Sequence, residues 1–200
     1  MTGPRLAPGR ELLDDAAADP SVVRQSLHHI ARSNRWFGGW WAVRRGLEEL
    51  RRHHGGTLPR RLTLLDVGTG AGLPGIPIAI ARPDLVVTLL DSSHKKATFL
   101  RQAKAELALA NVEVACERVE NWHPPAPFDA VVSRAFAELA DFVAQSGHLV
   151  APGGTMLAMK GVYPFEEIAR IPSTHRVESV VALAVPTLEA QRHLVLMKAA

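Results

Sequence analysis

The stretch "LLDVGTGAGLPGIPIA", residues Leu64–Ala79, places four glycines and two prolines between two apolar runs. Glycine gives up more conformational freedom on folding than any other residue and weakens an ordinary strand or helix. A cluster this dense marks a sharp turn, or a place where something approaches the backbone closely. The flanks narrow the choice. "RLTLLDVG" before it reads as a short buried strand, and "LPGIPIAIARP" after it reads as a helix entered through prolines and closed by Pro83. The glycines therefore sit on a strand-to-helix corner.

The alternation continues down the chain. "LVVTLLD" predicts a second strand. "HKKATFLRQAKAELAL" predicts a helix with Ala97, Leu100, Ala103 and Leu107 on one face. "NVEVACERV" and "FDAVVSRAF" predict strands three and four, "ELADFVAQSGHLV" a helix, "APGG" a turn, "TMLAMKG" a fifth strand and "FEEIARI" a short helix. "RVESVVALAV" and "RHLVLMKA" close the chain as strands with no room for a helix between them. Strand–helix alternation predicts an α/β fold with a mainly parallel sheet and helices on both faces. The closing pair predicts a hairpin, so the final strand runs antiparallel.

This pattern occupies residues 62–200, a Rossmann-like domain. Residues 1–61 read as an N-terminal helical segment with helices from Ser21 and Trp40, its first ~20 residues rich in Pro, Ala, Gly and Asp and poorly ordered. That segment carries eleven arginines against six acids, more than the whole chain's net charge of +3. A basic flank fits phosphate binding; it also fits a solvated helix face. No apolar run approaches the roughly 18 residues that cross a bilayer, and the start has no apolar signal region, so a cytoplasmic protein without a membrane partner is expected. The one cysteine, Cys116, excludes an internal disulfide and reads as packing in an apolar strand. The nine histidines show no metal-ligand spacing, and no metal is expected.

In a doubly wound sheet, ligands bind beyond the carboxyl ends of the strands. Gly68, Gly70, Gly72 and Gly75 stand at the end of the first strand, and Asp91, in "LLDSS", ends the second. An acid there typically takes ribose hydroxyls, so the ligand is an adenine nucleoside carrier: NAD, FAD or S-adenosylmethionine. The compact Gly68-Thr69-Gly70-Ala71-Gly72 spacing and the closing pair of strands favour S-adenosylmethionine. Asp66 lies two residues before the first glycine. A lone buried carboxylate is costly, which leaves two roles open: accepting from loop amides, or lying beside the cationic methionine moiety.

The segments "DVGTGAGLPGIPIA", "TLLDSSHKKATFLRQ", "NVEVACERVE", "FDAVVSRAF" and "MLAMKG" resemble the RsmG (GidB) family over about residues 62–198. The resemblance implies a class I S-adenosylmethionine-dependent methyltransferase with a seven-stranded sheet, acting on guanine N7 of small-subunit ribosomal RNA. It implies cofactor contacts at Gly68, Leu73, Val119, Glu120 and Arg134. Glu120, at the end of the third strand, lies beside the adenine, and Asp91 takes the ribose. Arg134, in "SRAF", and Lys160, in "MKG", orient the acceptor, with no general base. The partner is the RNA or the small ribosomal subunit, and a monomer is expected. Residues 1–61 depart from the family's opening pattern. Trp36, Phe37, Trp40 and Trp41 could stack a splayed base, pack against the sheet, or line the acceptor pocket of a small-molecule class I methyltransferase, which is the alternative reading. A nucleoside-binding module without catalysis is the third.

Overall fold

The computed structural model describes residues 62–134, 138–183 and 191–200, with Glu48, Arg51 and Arg52, which are helical. The rest of the N-terminal segment, including Trp36–Trp41, and the link between the last two strands over 184–190 lie outside the described residues.

The elements are β1 (Thr63–Val67), α1 (Gly75–Ala81), β2 (Val86–Leu90), α2 (His94–Glu106), β3 (Val112–Ala115), β4 (Phe128–Arg134), α3 (Leu139–Ser146), β5 (Val150–Lys160), α4 (Phe165–Ala169), β6 (His175–Ala182) and β7 (His193–Ala199). The strands form one seven-stranded sheet in the order β3-β2-β1-β4-β5-β7-β6. The pairs β1–β2, β1–β4, β2–β3 and β4–β5 are parallel, and β7 runs antiparallel to both neighbours. The α/β class and the antiparallel final strand follow the sequence expectation.

The strands read as continuous apolar runs because both faces of the sheet are covered. Side chains alternate with period two. Leu64, Val87, Leu89, Ala130 and Val132 pack with Ile78 of α1 and Leu100 of α2. Leu65, Val67, Leu90 and Val131 face the other way, onto Leu139 and Phe142 of α3 and Leu149. Strand order reverses between β1 and β4, which opens a crevice above their carboxyl ends.

Three boundaries differ from the sequence reading. The helix expected through Leu109 stops at Glu106, where Ala108 takes φ +51° and returns Leu109 to the core. The third strand ends at Ala115; exposed Glu117 and Arg118 follow, and Val119–Asn121 form a 3-10 turn that buries Val119. The turn "APGG" lies within β5. Between paired positions β4 advances from Phe128 to Ala130 while β5 advances from Val150 to Thr155, a bulge closed at Gly153 (φ +78°). Among the described residues no helix is long and apolar enough to cross a membrane.

Candidate active site

The corner between β1 and α1 is organised by two carboxylates. Asp66, on β1, is fully buried. Its Oδ2 accepts from Thr69 Oγ1 at 2.5 Å and from the Gly75 amide at 2.8 Å. Its Oδ1 finds no hydrogen-bond partner among the described residues. Burial pushes the Asp66 carboxyl up to about 7, against the pull of the Thr69 and Gly75 hydrogen bonds; Arg134 also lowers it and Asp91 raises it. Asp66, Asp91 and Arg134 thus share one electrostatic corner. Of the two roles the sequence left open for Asp66, the structure shows the bond to a loop amide.

Asp91 follows β2. Its Oδ2 accepts from the Gly70 amide at 3.0 Å and its Oδ1 from the Ser93 amide at 3.0 Å. It ties the glycine loop to the entry of α2, whose first turn is capped by Ser93. A carboxylate offers about four acceptor positions, so two remain for hydroxyl donors.

The glycines divide into two kinds. A Cβ on Gly75 would collide with Leu89 Cδ2 and lie 2.8 Å from Asp66 Oδ2. Gly75 is therefore an internal requirement: the helix must start close enough to β1 for its amide to reach Asp66. Gly70 has φ +58°, yet a Cβ there would meet nothing within 4 Å among the described residues. Its surroundings are open, as a loop that receives a ligand requires. Thr69, buried and bonded to Asp66, was not singled out from the sequence; its place three residues after an acid in a glycine loop is the one signal it carries.

The other residues line the same end of the sheet. Gly68 donates its amide to Leu90 O at 2.9 Å, closing the loop onto β2, and Gly72 accepts the Ile76 amide at 2.8 Å. Leu73 is half-buried and joined to Pro74 by a cis peptide. Val119 packs into the core below the 3-10 turn. Glu120, expected at a strand end, lies on that turn; it is exposed, 3.3 Å from Arg118, and held below the usual carboxylate range by its own amide and then by Arg118. Arg134 ends β4 with its side chain exposed. Lys160 ends β5, 2.7 Å from Glu167 Oε2. That same oxygen accepts the Leu139 amide at the start of α3 at 2.8 Å. Cys116 is corrected by the structure: it lies past the end of β3, half-buried, with Sγ 3.5 Å from His94 Nδ1.

A sheet with a single antiparallel strand, a glycine corner after β1 and an acid after β2 define the class I methyltransferase fold. An S-adenosylmethionine-dependent methyltransferase from Clostridium acetobutylicum shares it with a TM-score of 0.62 at 11% identity, covering 88% of this chain and 99% of that one. The sequence matches the family described as rRNA small subunit methyltransferase G over residues 55–195, and the chain belongs to that family. The ribosomal RNA small subunit methyltransferase G of Aromatoleum aromaticum is 58% identical over 140 residues, 68% of this chain and 66% of that one. The protein of the same name from Laribacter hongkongensis is 57% identical over 132 residues, 66% of this chain and 64% of that one. The chain matches just under two thirds of the length of these relatives.

Proposed function

We propose that the chain is an S-adenosylmethionine-dependent methyltransferase that modifies guanine N7 in small-subunit ribosomal RNA. The observation that carries the reading is the open backbone at Gly70, pinned by Asp91 beside the carboxyl ends of β1 and β2. Family membership supports the acceptor.

The residues present fit the cofactor. Gly68, Gly70 and Gly72 give it backbone to lie against, and Asp91 keeps lone pairs for ribose hydroxyls. Leu73 and the edge of Val119 would supply apolar surface to an adenine, and exposed Glu120 could accept from its amino group. Asp66 holds the loop in shape through its bonds to Thr69 and Gly75. When bound, S-adenosylmethionine supplies an electrophilic methyl on a sulfonium.

Guanine N7 carries an in-plane lone pair and no proton, so the chain need not supply a base. Its task is placement, which alone lowers a bimolecular barrier substantially. Arg134 is the residue for it. A guanidinium donates to guanine O6 and can hold the ring in register, while leaving N7 to react. Lys160, oriented by Glu167, sits one strand further along the same rim and offers its remaining N–H donors to the acceptor.

The test is methyl transfer from tritiated S-adenosylmethionine to small ribosomal subunits from a strain lacking this modification, followed by mapping. Label at guanine N7, lost in Arg134→Ala, supports the reading. Absence of label with cofactor binding intact by calorimetry would point to a small acceptor.

A further inference from the structure

Five large apolar side chains are exposed among the described residues, and three of them, Val162, Tyr163 and Phe165, lie in one four-residue stretch. Phe165 is 74% exposed, so its burial does not explain its presence.

The stretch is built, not loose. Pro164 has φ −90° and ψ +61°, and the Phe165 amide donates to Tyr163 O at 3.1 Å. This is an inverse γ-turn, with proline fixing its central φ. It brings the flanking side chains together, with ring centroids 4.2 Å apart and planes 37° apart. His193, the first residue of β7, holds the other side. Its Nδ1 lies 2.7 Å from Gly161 O, and because a carbonyl only accepts, that nitrogen carries the proton. Its ring meets Tyr163 edge-on at 5.5 Å. The result is a pair of rings fixed in place with Phe165 open to solvent.

Its position relates it to the acceptor side of the site. Arg134 pairs in register with Met159, and Lys160 with His193. At about 4.8 Å per strand, the rings stand on the order of 10 Å from the end of β4. An exposed cation, Arg192, stands next to His193 at the edge of the stretch. The nearby acids are engaged, Glu167 with Lys160 and Glu166 with Arg170. Size decides the occupant. A stable protein interface covers about 800 Å² on each partner, far more than three side chains offer, whereas the outer face of Phe165, backed by Tyr163, matches one base.

We infer that Tyr163 and Phe165 form a stacking platform for an unpaired base of the RNA strand that carries the acceptor guanine. This rests on the RNA methyltransferase reading above. Stacking is tolerant of base identity, so the platform contributes affinity and placement rather than sequence choice.

The experiment uses the full chain and a fluorescein-labelled single-stranded oligoribonucleotide, with methyl transfer to small subunits measured in parallel. Phe165→Ala weakens oligonucleotide binding about tenfold and raises KM for the subunit, with the cofactor Kd unchanged. Phe165→Trp restores binding and Phe165→Leu does not. The exposure of Phe165 makes the folding of all three variants secure, and thermal melts verify it. Equal binding by wild type and Phe165→Ala overturns the platform. So does full function in Phe165→Leu, which would mark an apolar contact to a protein instead. Loss of methyl transfer by the wild-type chain would sink the enzymatic reading alone, because oligonucleotide binding still reports on the rings.

Discussion

At Asp66 a carboxyl group has been placed where its charge is costly. The backbone needs it there: the Gly75 amide and the Thr69 hydroxyl both depend on its Oδ2. Burial raises it to about 7 from an ordinary value of 3.8. The consequence for stability has a definite sign. Below pH ~4 the group is protonated in folded and unfolded chains alike, and folding is not penalised. Between there and pH 7 the unfolded chain ionises while the folded one holds its proton, so stability falls as pH rises. Above 7 the loss is complete, on the order of 4 kcal/mol. Asp66→Asn keeps an acceptor for Thr69 and Gly75 and cannot ionise. Urea denaturation from pH 4.5 to 8 should show the wild type losing stability relative to Asp66→Asn as pH rises, beyond any constant offset. Parallel profiles would mean that Asp66 is charged throughout. Arg134 lowers the same group, so in Arg134→Ala the loss of stability should continue to higher pH than in the wild type, measurable in the same titration.

At the scale of the element, the glycine loop performs two tasks that mutation separates. Gly75→Ala pushes a methyl into Leu89 and the Asp66 carboxylate, and overpacking of this kind costs about 1–3 kcal/mol; the expected result is a lowered Tm. Gly70→Ala meets no atom but must keep φ +58°, which costs about 1 kcal/mol for a residue with a Cβ. Its main effect should be on cofactor affinity by calorimetry. If Gly70→Ala binds like wild type, the open side of the loop does not face the cofactor. The helix α3 gives a second case. Its first amide is satisfied by Glu167 from α4, doing for the helix what an N-cap does. Glu167→Ala should cost about 1–2 kcal/mol by denaturant titration, and Glu167→Gln, which keeps the acceptor, much less. These cases show where the sequence is readable. The strands and the glycine corner were legible because period-two burial and turn residues are local patterns. The antiparallel last strand was legible because its connection is too short for a helix. The Lys160–Glu167–Leu139 junction was not, since Glu167 reaches Leu139 across 28 residues and only the sheet brings them together. The end of β3 was missed for a related reason. Cys116–Val119 looks like more strand, but β3 is the edge of the sheet, paired only with β2, and no neighbour extends it.

For the molecule as a whole, the sheet collects the described residues of the proposed site at one end. The glycine loop and Asp91 stand above β1 and β2, Arg134 above β4, Lys160 above β5, and the Tyr163–Phe165 pair beyond it. Crossing the sheet, the rim passes from the glycine loop and Asp91 to a side bearing Arg134, Lys160, Arg170 and Arg192, where Glu167 pairs with Lys160 and Glu138 and Glu166 pair with Arg170. The polyanionic acceptor proposed above would meet these cations, and that makes a prediction about salt. Each phosphate neutralised by a cation contributes roughly a threefold loss of affinity for a fourfold rise in salt, because condensed counterions are no longer released as favourably. With two or more phosphates engaged, kcat/KM for the ribosomal subunit should fall at least about tenfold between 50 and 200 mM salt. Cofactor affinity should hardly change, since S-adenosylmethionine carries no phosphate. Measuring both constants across the same salt series separates the two sides of the rim. A steep acceptor slope with a flat cofactor slope supports the RNA reading. Two flat slopes would mean that the cations on the rim serve only their own ion pairs, as Lys160 does with Glu167 and Arg170 with Glu138 and Glu166, and that the acceptor carries no phosphates.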